Sequence, residues 1–85
     1  MKKLDKNTNN DYDEIKLLNA RVSKNVREIR KRKRISQLEF AMNVGFNSVS
    51  FYCDCENNKN GKHFNLIHLV RISQFLEMDI KELIY

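Results

Sequence analysis

The sequence contains no proline and only two glycines, Gly45 and Gly61. Few positions therefore interrupt a helix. No β-branched run alternates with period two, so strands are not favoured. No apolar run approaches the roughly 20 residues that span a bilayer, and no membrane partner is expected. The opening Met1-Lys2-Lys3-Leu4-Asp5-Lys6 is basic but has no apolar stretch behind it, which is not the pattern of an export signal. A cytoplasmic location is expected. The two cysteines are Cys53 and Cys55. Residues two apart on a helix point to different faces and neither close a disulfide nor share a metal. His63 and His68 do not complete a zinc spacing, so no metal and no cofactor is expected. Ser36 and Ser50 have no base at a readable distance, and an enzyme is not expected.

What is present is the balance of a folded domain: 41% hydrophobic and 32% charged residues over 85 positions. That length suits one small domain. It leaves little room for a two-lobed substrate pocket or a separate ligand-sensing unit.

The net charge of +5 is unevenly placed. Residues 1–20 balance to zero. Residues 21–39 hold eight basic and two acidic residues, and residues 40–85 are slightly acidic. Five consecutive cations, Arg30, Lys31, Arg32, Lys33 and Arg34, form the densest run. Such a run repels itself unless a polyanion is near. Cations also suit a helix C-terminus, but nucleic acid is the favoured partner.

Residues 1–10 are polar and Asn-rich and read as a mobile arm, with one domain over 11–85. Asp11 and Glu14 read as a capping box. Leu18, Val22, Val26 and Ile29 then form one stripe of a helix over about 12–33. Ser36 and Glu39 form a cleaner capping box, followed by a short helix with Leu38, Ala41 and Met42 on its inner face. Gly45 stops it, as the residue able to take φ > 0. Asn47 reads as the next N-cap, for a helix over about 48–56. Asn57 to Lys62 is a loop. Asn65 caps a fourth helix with Leu66, Leu69, Ile72, Ser73 and Leu76 inside. Asp79 caps a last short helix with Ile80, Leu83 and Ile84. The expectation is an all-α, five-helix domain.

The pair of short helices around Gly45, about residues 37–57, has the proportions of a helix-turn-helix. Its residues resemble the phage-repressor and Cro-type helix-turn-helix family, often called the XRE family. The resemblance covers about residues 22–84. It is carried by Val26-Arg27-Glu28-Ile29-Arg30, Ile35-Ser36-Gln37-Leu38-Glu39-Phe40-Ala41, Val44-Gly45, Glu56, Asn65-Leu66 to Leu76, and Ile80 to Leu83. It implies a sequence-specific double-stranded DNA-binding regulator, most simply a repressor acting at operator DNA.

Two departures matter. The family's glutamate at the end of the recognition helix falls here on Glu56, one position late, with Cys55 in its usual place. In the shifted register Tyr52 and Cys55 face the core, and Ser48, Ser50, Cys53, Asp54 and Asn57 face the groove. In the unshifted one Phe51 is core, and Asn47, Ser48, Val49 and Tyr52 move outward. The shifted register is preferred, because otherwise Asp54 would be buried unpaired. The second departure is Asp54 itself, on a helix with no Arg or Lys from 47 to 58. The familiar Arg–guanine contact is missing. Readout then falls to hydroxyls, amides, methyl contacts or DNA shape.

The expected base-contact set is Asn47, Ser48, Ser50, Cys53, Asp54 and Asn57. The expected phosphate contacts are Arg30, Arg32, Arg34, Gln37, Lys59 and Lys62. The resemblance implies a homodimer, with Ile80, Ile84 and Tyr85 as its candidate contact. The same domain also serves antitoxins that bind a toxin protein as well as their own promoter, which is the alternative role.

Overall fold

The computed structural model describes residues 8–85. Five helices run in order: α1 (Thr8–Arg32), α2 (Gln37–Val44), α3 (Val49–Glu56), α4 (Leu66–Leu76) and α5 (Lys81–Ile84). No strand occurs among the described residues. Nor is any helix there long and apolar enough to cross a membrane.

α1 begins earlier than its sequence signals. Residues 8–10 are already helical, so Asp11 lies inside the helix and is not its N-cap. Nothing breaks a helix between Thr8 and Asp11, and the Asp11–Glu14 box is lost. The rest of the expected arm, residues 1–7, lies outside the described residues. At 1.5 Å per residue, the 25 residues of α1 make a rod of roughly 37 Å, close to the longest dimension of the molecule, 43 Å. Only its C-terminal half is anchored. Val22, Val26 and Ile29 are buried, whereas Leu18, one turn earlier on the same stripe, is exposed, as are Tyr12 and Ile15.

The core joins that half of α1 to Phe40, Ala41 and Val44 of α2, Tyr52 and Cys55 of α3, Phe64, Leu69, Ile72 and Leu76 around α4, and Leu83 of α5. Phe40 is fully buried. Its ring lies 5.4 Å from Tyr52 and 5.6 Å from Phe75. The inner face of α2 is therefore Phe40, Ala41 and Val44. Leu38 and Met42 are exposed instead. Leu66 of α4 is likewise exposed, at 74%. It points away from the face that buries Leu69, Ile72 and Leu76.

Local chemistry sets the helix ends. Ser36 Oγ accepts from the Glu39 amide at 3.0 Å, one half of the expected box, while the return bond from the Ser36 amide to the Glu39 carboxylate is not made. At α4, Asn65 Oδ1 accepts from the His68 amide at 2.9 Å, and His68 Nδ1 accepts from the Asn65 amide at 3.0 Å. This is a reciprocal box with histidine in the place of Glu or Gln. The cap of α3 is Ser48, which accepts from the Phe51 amide at 3.1 Å, and not Asn47. Asp79 accepts from the Lys81 amide at 2.9 Å, just ahead of α5.

Gly45, at φ 88°, closes α2. Its amide and that of Phe46 reach back to Met42 O and Ala41 O, the paired bonds of a Schellman ending. The same pair of bonds ends α1 at Arg34, α3 at Asn58 and α4 at Glu77, all at positive φ without glycine.

Candidate nucleic-acid interface

α2 and α3 are joined at one buried carboxylate. Glu56, the last residue of α3, is 1% exposed. Arg30 grips it with two bonds, Nε to Oε2 at 2.7 Å and Nη2 to Oε1 at 3.1 Å. Tyr52 donates its hydroxyl to Oε2 at 2.5 Å, and Gln37 donates Nε2 to Oε1 at 2.9 Å. Arg27 adds a bond from Nη1 to the Glu56 carbonyl, and Arg30 Nη1 reaches the Ile35 carbonyl. The end of α1, the start of α2 and the end of α3 are thus tied at one point.

The helical period explains why these residues meet. Arg30 follows Val26 by four and Ser23 by seven, so it falls on the buried side of α1. Ser23 lies on that side too, donating to Cys55 O at 2.7 Å. Tyr52 precedes Glu56 by four, one turn along α3. Burial alone would raise the Glu56 carboxyl, but the bonds from Arg30, Tyr52 and Gln37 outweigh it and hold it below its ordinary range. Arg30 is held above its own by its bond to Glu56. Burial, with the Glu56 carboxylate beside it, pushes the Tyr52 phenol well above its usual value, so Tyr52 remains a donor.

This network removes Arg30 from the phosphate-contact set. Arg30 is 8% exposed, and its guanidinium is occupied. Gln37 is half-buried, and its carboxamide nitrogen is engaged by Glu56. An anion at that point would instead meet the positive end of α2. Lys31, Arg32, Lys33 and Arg34 are all exposed. They follow directly on Arg30 but do not share its direction, and Arg32 lines a hollow with Asn25, Glu28 and Glu82 on the α5 side. Lys59 and Lys62 are exposed on the loop after α3. Lys62 Nζ stands 5.8 Å from the Phe51 ring centroid.

The inward residues of α3 are Tyr52, Cys55 and Glu56, all buried. This is the register in which Tyr52 and Cys55 form the core pair. On the other side, Asn47, Ser48, Ser50 and Asn57 are exposed, and Cys53 and Asp54 are half-buried. Several of these are engaged within the chain. Ser48 caps the helix. Asp54 Oδ2 accepts from Asn60 Nδ2 at 3.3 Å. Asn57 Nδ2 donates to Cys53 O at 3.0 Å. Cys53 packs against the core. Both thiols are free. Burial raises both, Cys55 to about 11, so neither is a thiolate at neutral pH. Among the described residues, no group of three His, Cys, Asp or Glu side chains is placed to hold a metal.

Two features escaped the sequence reading. Arg71 of α4 lies against the α2–α3 turn, with Nη1 3.2 Å from where a Cβ on Gly45 would stand. It lines a shallow hollow with Asn43, Val44, Gly45, Gln74 and Phe75. Nothing in its sequence neighbourhood marks it. His68 stacks on Phe46 with ring centroids 4.4 Å apart, which braces the same turn from the other side. Of the candidate dimer residues, Ile80 and Ile84 pack in part on the chain's own core, while Tyr85 is 83% exposed.

Comparison with protein-family models, with curated proteins and with solved structures returns no match.

Proposed function

We propose that the chain is a sequence-specific double-stranded DNA-binding regulator of the repressor and Cro type, in which α2 and α3 act as a helix-turn-helix. The observation that carries this reading is the junction at Glu56. It fixes α3 to α1 and α2 through Glu56 and Tyr52. Ser50 and Asn57 of α3 stay exposed, and exposed cations lie on the segments next to it, Lys31, Lys33 and Arg34 around the end of α1 and Lys59 and Lys62 in the loop after α3. Exposed cations on both segments next to a short helix with small polar side chains suit a duplex, which offers phosphates at the groove edge and base edges within it. Lys31, Lys33, Arg34, Lys59 and Lys62 are assigned to phosphates, and the outer face of α3 to bases.

Fluorescence anisotropy with DNA from upstream of the chain's own gene, and with a shuffled duplex, tests this at several salt concentrations. A preference of about 4 kcal/mol or more for the upstream DNA supports a specific regulator. Equal, weak binding to both, steeply lost with salt, reduces the reading to an electrostatic footprint.

Asp54 supports a second reading, because an acid beside the groove repels phosphate. In it the chain is an antitoxin that binds a toxin protein as well as its own promoter. Co-purification of the product of an adjoining gene, at fixed stoichiometry, separates the two.

A further inference from the structure

We propose that the exposed half of α1 is an interaction surface for a second copy of this chain, and that the two α1 helices lie antiparallel across a two-fold axis near Leu18. The inference does not depend on DNA binding. The segment lies ahead of residues 22–84, which carry the resemblance to the repressor family.

The stripe that buries Ile29, Val26 and Val22 continues at helical spacing through Leu18, Ile15 and Tyr12, all exposed. An apolar stripe on a helix is built to meet an apolar partner. The charges along the helix say which partner. Asp11, Asp13 and Glu14 have no base among them, while the charged residues from 15 to 27 are Lys16, Arg21, Lys24 and Arg27, all basic. Two such helices repel when parallel and match when antiparallel, acidic turn against basic turn. Glu14 and Arg21 are seven residues apart, and each directly precedes a member of the stripe, Ile15 and Val22. Both therefore stand on the same edge of it. A two-fold axis lays that edge of one helix beside the same edge of the other, so Glu14 meets Arg21 of the second copy twice over. Both residues are exposed, and the ion pair found among the described residues, Arg30 with Glu56, uses neither. The other exposed apolar patch, Leu66, Ile67 and Val70 of α4, does not complement itself in this way, because that helix carries Arg71 and no acid. Ile80 and Ile84 are partly taken up by the chain's own core. Three turns of helix from each copy bury less than the roughly 1,200 Å² of a standard complex. The pair is accordingly weak, and the copies stand apart in dilute solution.

Sedimentation equilibrium of the full chain tests this, without DNA and at low salt, from low to high micromolar concentration. The expected result is a reversible monomer–dimer equilibrium. Glu14→Lys and Arg21→Glu should each weaken it about tenfold, since the two-fold axis repeats each change. An equimolar mixture of the two variants should regain wild-type strength, because each then supplies the charge that the other lacks. Thermal melting checks that both are folded. A chain that stays monomeric throughout overturns the proposal. So does a dimer that neither reversal weakens, or one that the mixture fails to restore, which would place the contact on another face.

Discussion

The two faces of α3 divide the labour of an eight-residue helix. Its inner face carries Tyr52, Cys55 and Glu56. Each is almost wholly buried, and each makes a hydrogen bond to another part of the chain or, for Tyr52, to Glu56 itself. Its outer face carries the small polar side chains of Ser50, Asp54 and Asn57 and no cation. The strong electrostatics of the helix are thus turned inward and fix its position, while the outward chemistry is weak and short-range. A buried ion pair is seldom a large net source of stability, but it leaves few alternative arrangements open. Here it sets where the outer face points.

The comparison is broken most severely at Arg30. Arg30→Ala leaves Glu56 buried without its cation and should cost about 3–5 kcal/mol, read as a lowered midpoint in urea. A midpoint shift worth less than about 1 kcal/mol would mean that the carboxylate finds water instead. Tyr52→Phe removes one donor to the same carboxylate and should cost roughly 1.5–3 kcal/mol.

Acid should loosen the inner face by the same route. The Glu56 carboxyl is held below its unfolded value, so its contribution is present above about pH 4.3 and is lost as pH falls through the lower, folded value. His68 acts at milder pH. Burial lowers it, with Arg71 and His63 adding to the effect, and its neutral Nδ1 must accept the Asn65 amide. That contribution is present above about pH 6.5 and declines as pH drops through the depressed value. Thermal melts from pH 8 to 3 should show two steps of loss. His68→Gln should remove only the first.

Arg34→Gly separates the two faces more gently. Arg34 sits at φ 58°, where a non-glycine residue is strained by about 1 kcal/mol. The variant should melt higher and yet bind DNA with a salt slope smaller by about 1. On the outer face, Ser50→Ala should change stability by less than ~0.5 kcal/mol while altering the preferred sequence in a selection from random duplexes. An unchanged preference would show that Ser50 touches no base.

Much of this architecture is legible in the sequence, for local reasons. Ser36, Asn65 and Gly45 mark helix ends through chemistry that acts over three or four residues. The choice of Tyr52 and Cys55 as core follows from refusing to bury Asp54 unpaired. What fails is phase in short helices. α2 has apolar residues at 38, 40, 41, 42 and 44, so periodicity alone cannot say that Phe40, not Leu38 or Met42, turns inward. Neighbours settle it, since Phe40 fits between Tyr52 and Phe75. Arg30 is hidden by its company. Within a run of five cations its charge speaks for solvent, and only its place on the Val26 and Ser23 side of α1 speaks for burial.

α1 carries its apolar stripe about two turns beyond Val22, its first buried member. Short isolated helical segments are marginal in water, so the N-terminal turns of α1 draw their stability from the anchored half. Amide hydrogen exchange should register this as a gradient along one continuous helix. Amides of residues 12–18 should exchange through local fraying, and those of 23–30 only through opening of the whole domain. The boundary should fall near Val22, where the stripe first becomes buried.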